Sequence, residues 1–355
     1  MKRHDGGKLS NIQALRAAAA TLVIFVHFEI MLASIGLPAF GNSGVDLFFV
    51  ISGYIMVHTT YGHPVSAADF LKNRVARIVP LYWLATLVVF LIAVIVPQLL
   101  QTPAANAVSL IKSLLFIPFE RVPGDLAPVF FLGWTLNYEM FFYLLFAAGL
   151  LFRCSALGLG FTLAALAALA VAGRVWPPED PALRFYTFPI MLEFALGMLV
   201  ALFFRKEWTF SHPGWRFFLV ALVLLGLVLL VAPPLFPQIG WLSGVISRGL
   251  PAAMMVWAAL ALESRGDFVK NGFWVRLGDA SYAMYLTHPF VAQIFQKLCI
   301  AFQTRGLVSL LLLIAAVAAI MTTALVVHAW IEKPLTRVAR RLLGVVPRKH
   351  AFHVA

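Results

Sequence analysis

Charge is scarce in this chain, and acidic charge is the scarcest. Asp, Glu, Lys and Arg make up 12% of its 355 residues, and only 15 residues are acidic. An ordinary soluble domain carries about 25% charged residues to keep its surface hydrated. Cysteine is nearly absent as well. Cys154 and Cys299 stand far apart, in or beside apolar segments, which excludes a disulfide framework and offers no thiolate spacing for a metal. Both read as small buried hydrophobes. The chain has no internal repeat, no low-complexity tract, and no stretch between apolar segments large enough for a second soluble domain. One integral-membrane domain over residues 1–355, with no appended soluble domain, is therefore expected.

What the chain does have is apolar length. Hydrophobic residues make up 62% of it and its mean hydropathy is +0.91, which points to a polytopic membrane protein. Segments able to span about 30 Å of hydrocarbon lie near residues 11–32, 44–60, 79–97, 131–152, 156–173, 186–204, 216–232, 241–262, 279–301 and 307–331. The expected fold is all-α, a bundle of about ten transmembrane helices. The first segment follows a basic tail as a signal peptide would. It is too long for one, however, and Arg16 interrupts it, so it reads as a retained helix.

The net charge of +12 invites a nucleic-acid partner, but the basic residues follow alternate loops instead. With both termini cytosolic, the inner face receives the tail Lys2, Arg3 and Lys8, then Lys72, Arg74 and Arg77, then Arg153. It also receives Arg205, Lys206 and Arg216, then Arg265, Lys270 and Arg276, and the run from Lys333 to Lys349. Together these hold nineteen of the 27 Lys and Arg, the distribution that orients membrane proteins. The longest connection, from Gln98 to Phe130, is punctuated by Pro103, Pro118, Pro123 and Pro128. It reads as an outer loop with one short interfacial helix around residues 107–116.

Arg16 and His27 fall within the first apolar stretch, and Glu29 just beyond faces the outer interface. On one continuous helix, eleven steps are about three turns and about 16 Å of rise, so the pair shares a face. Ionisable groups at membrane depth cost a few kcal/mol and face a cavity or a partner rather than lipid. The alternative is an arginine reaching to the cytosolic edge and a histidine bonded to a backbone carbonyl. In the second segment, Asp46 lies at the depth His27 reaches. It either orients that imidazole or simply favours the helix start. Ser52 and Gly53 permit close helix contact.

Arg74 and Arg77, three apart in the loop after the second segment, face one way on a helical turn. They suit a phosphate, or else only anchor the inner face. In the fourth segment Glu139 and Tyr143 share a face one turn apart, with Arg16, Arg248 or His288 as partners for the carboxylate; structural pairing and substrate binding are both open. Glu193 in the sixth segment has the same ambiguity. Tyr282, Tyr285 and His288 form a polar stripe at three-residue spacing. Pro289 then removes the donor to the Tyr285 carbonyl and freeing that acceptor kinks the helix. Trp330, Glu332, Lys333 and Pro334 end the tenth segment at the cytosolic edge.

Together these segments, including GVDLFFVISGY at 44–54, RIVPLYW at 77–83, GWTLNYEMFFY at 133–143 and LGDASYAMYLTHP at 277–289, resemble the acyltransferase-3 family of bacterial membrane O-acyltransferases. These stretches look in particular like the subgroup that acetylates bacterial exopolysaccharides. The resemblance implies a ten-helix acyltransferase of the bacterial inner membrane, with acetyl-coenzyme A as co-substrate and no metal or resident cofactor. It implies that Arg16 and His27 match the essential first-helix pair, and that Arg74 and Arg77 match the basic pair linked to the acyl-coenzyme A donor. His27 and Asp46 are then the catalytic candidates, and Arg16, Arg74 and Arg77 bind donor. Trp134, Glu139, Tyr143, Tyr282, Tyr285 and His288 are left to line the cavity for a glycan or lipid-linked oligosaccharide acceptor. The rival expectation is a secondary transporter, which also uses buried charges and broken helices but predicts two similar halves; none are found in this sequence.

Overall fold

A computed structural model describes residues 9–63, 65–96, 106–122, 124–204, 212, 214–232 and 240–345. The basic residues Lys2, Arg3, Lys8, Arg205, Lys206, Arg348 and Lys349, with Pro103 and Pro123, lie outside the described residues. Among the described residues the protein is all-helical; its single β contact is an isolated bridge between Val122 and Asp125. The helices in chain order are α1 (Ser10–Val26), α2 (Glu29–Ala33), α3 (Gly44–Thr60), α4 (Ala67–Ile95) and α5 (Ala107–Leu114). Then come α6 (Gly133–Leu150), α7 (Ser155–Val175), α8 (Pro181–Tyr186), α9 (Leu192–Phe204) and α10 (Gly214–Val231). The last five are α11 (Leu250–Ser264), α12 (Gly272–Asp279), α13 (Ser281–Ala301), α14 (Leu307–Val327) and α15 (Lys333–Leu342).

Among the described residues, five runs are long and apolar enough to cross a bilayer: Ala67–Ile95, Ser155–Val175, Gly214–Val231, Gly240–Ser264 and Leu307–Leu342. Ser10–Val26, Gly44–Thr60 and Pro189–Phe204 are apolar but shorter. Large apolar side chains such as Leu91, Val94, Phe217, Leu224 and Leu311 are exposed on these helices. That would be unfavourable in water and is what hydrocarbon demands.

The chain forms two compact units. In the first, which takes in Met1–Thr59 and Leu196–Trp330, α1 packs against α12, α13 and α11. Small residues set the spacing. A Cβ on Gly278 would lie 2.0 Å from the Gln13 carbonyl oxygen, and one on Gly44 would lie 2.4 Å from that of Ala19. Ala17, Ala20 and Ile24 of α1 join Leu277, Met284, Ala316 and Ile320 in one buried cluster.

The second unit comprises Thr60–Ala195 and Ile331–Pro347. Here α4 packs against α6, α5 and α15, and α6 against α7. The predicted short helix at 107–116 is α5, opened by a reciprocal cap between Asn106 and Ser109. Tyr82 and Trp83 of α4 hold its far end by donating to the carbonyls of Ser113 and Leu114 at 3.1 and 2.9 Å.

Four expectations are corrected. The first apolar segment is not one helix: α1 ends at Val26, His27 and Phe28 form a turn, and α2 resumes at Glu29. Arg74 and Arg77 are not in a loop. They lie inside α4, which Ser66 caps from its side chain and which runs through Pro80 although that residue cannot bond the Ala76 carbonyl. The tenth segment does not stop at Pro334. A π-helical turn at His328–Glu332 leads into α15, with Pro334 in its first turn, where a missing N–H matters least. Cys154 is exposed at the start of α7, whereas Cys299 is buried.

Candidate functional site

In the first unit the site is built around the end of α1. Its amino terminus is anchored by Glu263 of α11, whose two carboxylate oxygens accept the backbone N–H groups of Ser10 at 2.6 Å and Asn11 at 3.1 Å. An anion there also meets the positive end of the helix dipole. The Asn11 amide reinforces the join, donating to the carbonyls of Ala259 and Asp267 and accepting from Val269 N–H. Arg16, two turns in, is buried, and its Nη1 donates to Gln13 Oε1 at 3.4 Å.

At the other end of α1, the His27 N–H turns back to the Ile24 carbonyl at 3.0 Å, tightening the last turn. The His27 carbonyl accepts from Gln296 Nε2 of α13 at 2.6 Å. The His27 ring is thereby presented at a helix break. Its centroid lies 4.9 Å from that of His288, and Tyr285 lies 6.1 Å from His288.

His288 is fully buried; its Nδ1 bonds the Met284 carbonyl at 3.2 Å. Bonding a carbonyl requires Nδ1 to carry the proton, so in the neutral ring Nε2 holds the lone pair. Nε2 is buried with no hydrogen-bond partner among the described residues. Asp46 is buried in the first turn of α3. Two residues on, Phe48 lies edge-on to Tyr285 at 6.3 Å. Tyr282 is half-buried at the start of the same stripe.

In the second unit a different set gathers. Arg74 lies over the Phe70 ring at 5.7 Å and over Tyr143 at 5.9 Å, a pair of cation–π contacts. The Tyr143 hydroxyl donates to Glu139 one turn back on α6, as their spacing predicts. The Glu139 carboxylate and the Arg77 guanidinium both act electrostatically on Arg74. Arg74 is thus a neighbour of Glu139 that the sequence reading had not named. Trp134, half-buried, stands edge-on to Tyr138 at 6.0 Å. A cleft of about 480 Å³ in this unit is lined by Asn106, Lys112, Phe119, Arg121 and Asp180, and by none of the predicted site residues.

Two supporting residues went unnoticed in the sequence. Gln296 follows His288 by eight positions, about two helical turns and so near the same face, which periodicity alone could have flagged. Glu263 carries no such signal, because nothing local ties it to residues 10 and 11.

Residues 9–329 match the sequence profile of the family described as "Acyltransferase domain". The chain is 34% identical over 305 residues to the exopolysaccharide production protein ExoZ of Rhizobium meliloti, covering 84% of this chain and 91% of that protein. It is 26% identical over 326 residues to the acyltransferase MdmB of Streptomyces mycarofaciens, covering 82% and 81% of the two chains. A shorter match, 31% over 122 residues, joins it to protein 2 in the picA locus of Rhizobium radiobacter, covering 30% of this chain and 63% of that protein. No solved structure matches.

Proposed function

Since the chain belongs to the acyltransferase domain family, we propose that it moves an acetyl group from acetyl-coenzyme A to a hydroxyl of an exopolysaccharide or other cell-surface glycan. The observation that carries the acceptor class is the likeness to ExoZ, an exopolysaccharide production protein, across 91% of that protein's length. Membership in an acyltransferase family makes transfer, rather than carriage, the activity of the bundle. The protein would sit in the inner membrane of a bacterium, with about ten spans and both termini in the cytosol. Basic residues on alternate connections support that orientation.

In this reaction His27 is the general base. Its imidazole takes the proton from the acceptor hydroxyl as the oxygen attacks the thioester carbonyl. The C–O bond forms, the C–S bond breaks, and the proton passes from the imidazolium to the departing thiolate, giving free coenzyme A and the acetyl ester. The buried, unpartnered lone pair of His288 Nε2 supports a polar reaction chamber, because a buried acceptor without a donor costs about 1–3 kcal/mol until a ligand supplies one. Asp46 orients His27. Arg74 and Arg77 hold the donor phosphates through charge-assisted bonds, and Arg16 in the first unit is the further donor-binding candidate. Glu139, Tyr143 and Trp134 in the second unit, and Tyr282 and Tyr285 in the first, are the candidates for contact with the acceptor.

The test uses purified protein in lipid nanodiscs with radiolabelled acetyl-coenzyme A and a glycan extract. Wild type should transfer label. His27→Ala should bind donor but transfer none, and Arg74→Ala/Arg77→Ala should lose donor affinity. A fully active His27→Ala would sink the mechanism, and a wild type that neither binds nor consumes the thioester would sink the donor.

A further inference from the structure

The basic helix α15 packs against α4 within one unit. Both helices overrun the bilayer. The 36-residue run Leu307–Leu342 is about 54 Å long and the 29 residues of α4 about 44 Å, against about 30 Å of hydrocarbon. Their polar ends, Lys72 to Arg77 on one and Lys333 to Arg341 on the other, must therefore stand outside the apolar layer.

Four basic residues line α15, and burial singles out one. Arg341 is exposed, and Arg337 is exposed with its Nε turned to the Lys333 carbonyl of its own helix. Arg340 is half-buried, its Nε wholly enclosed with no hydrogen-bond partner among the described residues, a condition it shares with Arg74 Nε. The charge of Arg77 acts on Arg340 and on Arg74.

Arg74, Arg77 and Arg340 thus lie on two packed helices, α4 and α15, and the charge of Arg77 reaches both of the others. Glu139 is the carboxylate whose charge reaches Arg74, and it is already bonded by Tyr143. Among the described residues none of the three arginines forms an ion pair within 4.0 Å. Bringing like charges together without a counter-ion is unfavourable, and guanidinium groups whose enclosed Nε atoms, on Arg74 and Arg340, meet no protein acceptor among the described residues suit the oxygens of a multiply charged phosphate.

We propose that Arg340 joins Arg77 and Arg74 in one phosphate-binding cluster that holds the phosphates of the acyl donor. This rests on the donor reading above and extends it to a helix beyond residues 9–329, the part matched to the family. The shared chemistry, phosphate oxygens, could also come from an anionic lipid headgroup, and the experiment separates the two sources.

Full-length protein is placed in phosphatidylcholine nanodiscs, and coenzyme A binding is measured for wild type, Arg77→Gln, Arg340→Gln, Arg340→Lys and, as a neighbour control, Arg337→Gln. Losing one charge-assisted contact should weaken Arg340→Gln binding about tenfold and raise KM for the thioester, with kcat at saturation within about twofold of wild type. Arg340→Lys should fall between, and Arg337→Gln should match wild type. If Arg340→Gln does not fold, Arg340→Lys decides, and wild-type affinity in that variant overturns the proposal.

Failure of the two readings looks different. A wild type that does not bind coenzyme A removes the donor reading and this one with it. If wild type binds, Arg77→Gln weakens binding and Arg340→Gln does not, only the assignment of Arg340 falls. Repeating the series with phosphatidylglycerol covers the lipid source. If Arg340→Gln alters melting temperature only there and leaves coenzyme A affinity intact, the arginine serves lipid and the proposal is overturned.

Discussion

The side-chain amide of Gln296 donates to the backbone carbonyl of His27 across 2.6 Å. The bond ties the turn that carries His27 to α13, the helix that carries His288, and so couples the position of one imidazole to the other. Gln296 contributes no group to the chemistry; it is a positioning residue. Gln296→Leu should lower kcat about tenfold, the worth of one such bond, while KM for the thioester stays near wild type. A rise in KM with unchanged kcat would show instead that Gln296 shapes substrate binding.

Glu263 anchors the amino terminus of α1, and the site hangs from the other end of that helix. Glu263→Gln keeps an acceptor but loses the charge that complements the dipole, at about 0.3–1 kcal/mol. Glu263→Ala leaves the Ser10 and Asn11 N–H groups unpaired, at about 1–3 kcal/mol. Thermal unfolding in one detergent should rank wild type above Gln and Gln above Ala. Equal melting temperatures for Ala and wild type would remove the cap from the account.

Tyr143 touches both Glu139 and Arg74. Tyr143→Phe keeps the ring beneath the guanidinium and deletes only the hydroxyl, so donor affinity should fall about three- to tenfold. Tyr143→Leu also removes the cation–π surface and should fall further. Donor binding by titration gives the order, and a Phe variant weaker than Leu would contradict it.

Outside the spans, the Glu120 carboxylate accepts from the Gly124 N–H at 2.7 Å and from Arg184 Nη2 at 3.1 Å. Those bonds, the backbone one foremost, hold its carboxyl below its ordinary value of 4.5. A depressed folded value means that the stabilisation is complete above about pH 4.5 and is lost as pH falls through the lower folded value. Melting temperatures of wild type and Glu120→Gln should therefore differ at pH 6 and converge on acidification below about pH 4.5. A difference that persists at the acid end would assign the effect to packing.

Local pattern was readable wherever one helix face carried the information. Glu139 and Tyr143 meet because residues four apart on a helix are neighbours whatever surrounds them. The short helix at Ala107–Leu114 was foreshadowed by its proline-rich flanks. Breaks were harder to read. The run from Val23 to Leu32 is apolar but for His27 and Glu29, and nothing local marks the end of α1 at Val26, next to the turn whose His27 carbonyl accepts from Gln296, distant in sequence. Pro334 looked like a stop, but it came to lie in the first turn of α15 behind a π-helical turn.

Composition and periodicity by themselves pointed to a helical membrane protein and to the few ionisable side chains within its apolar segments; the resemblance of its motifs to an acyltransferase family pointed to acyl transfer. Apolar length and the rarity of charge in hydrocarbon leave few other solutions. Tertiary structure alone decided that His27 faces His288, that Glu263 caps α1, and that α15 with Arg340 packs on α4 with Arg77. Each joins residues more than 250 positions apart. Which helices pack together depends on close approaches such as Gly278 on Gln13, and no periodicity along a single helix records them.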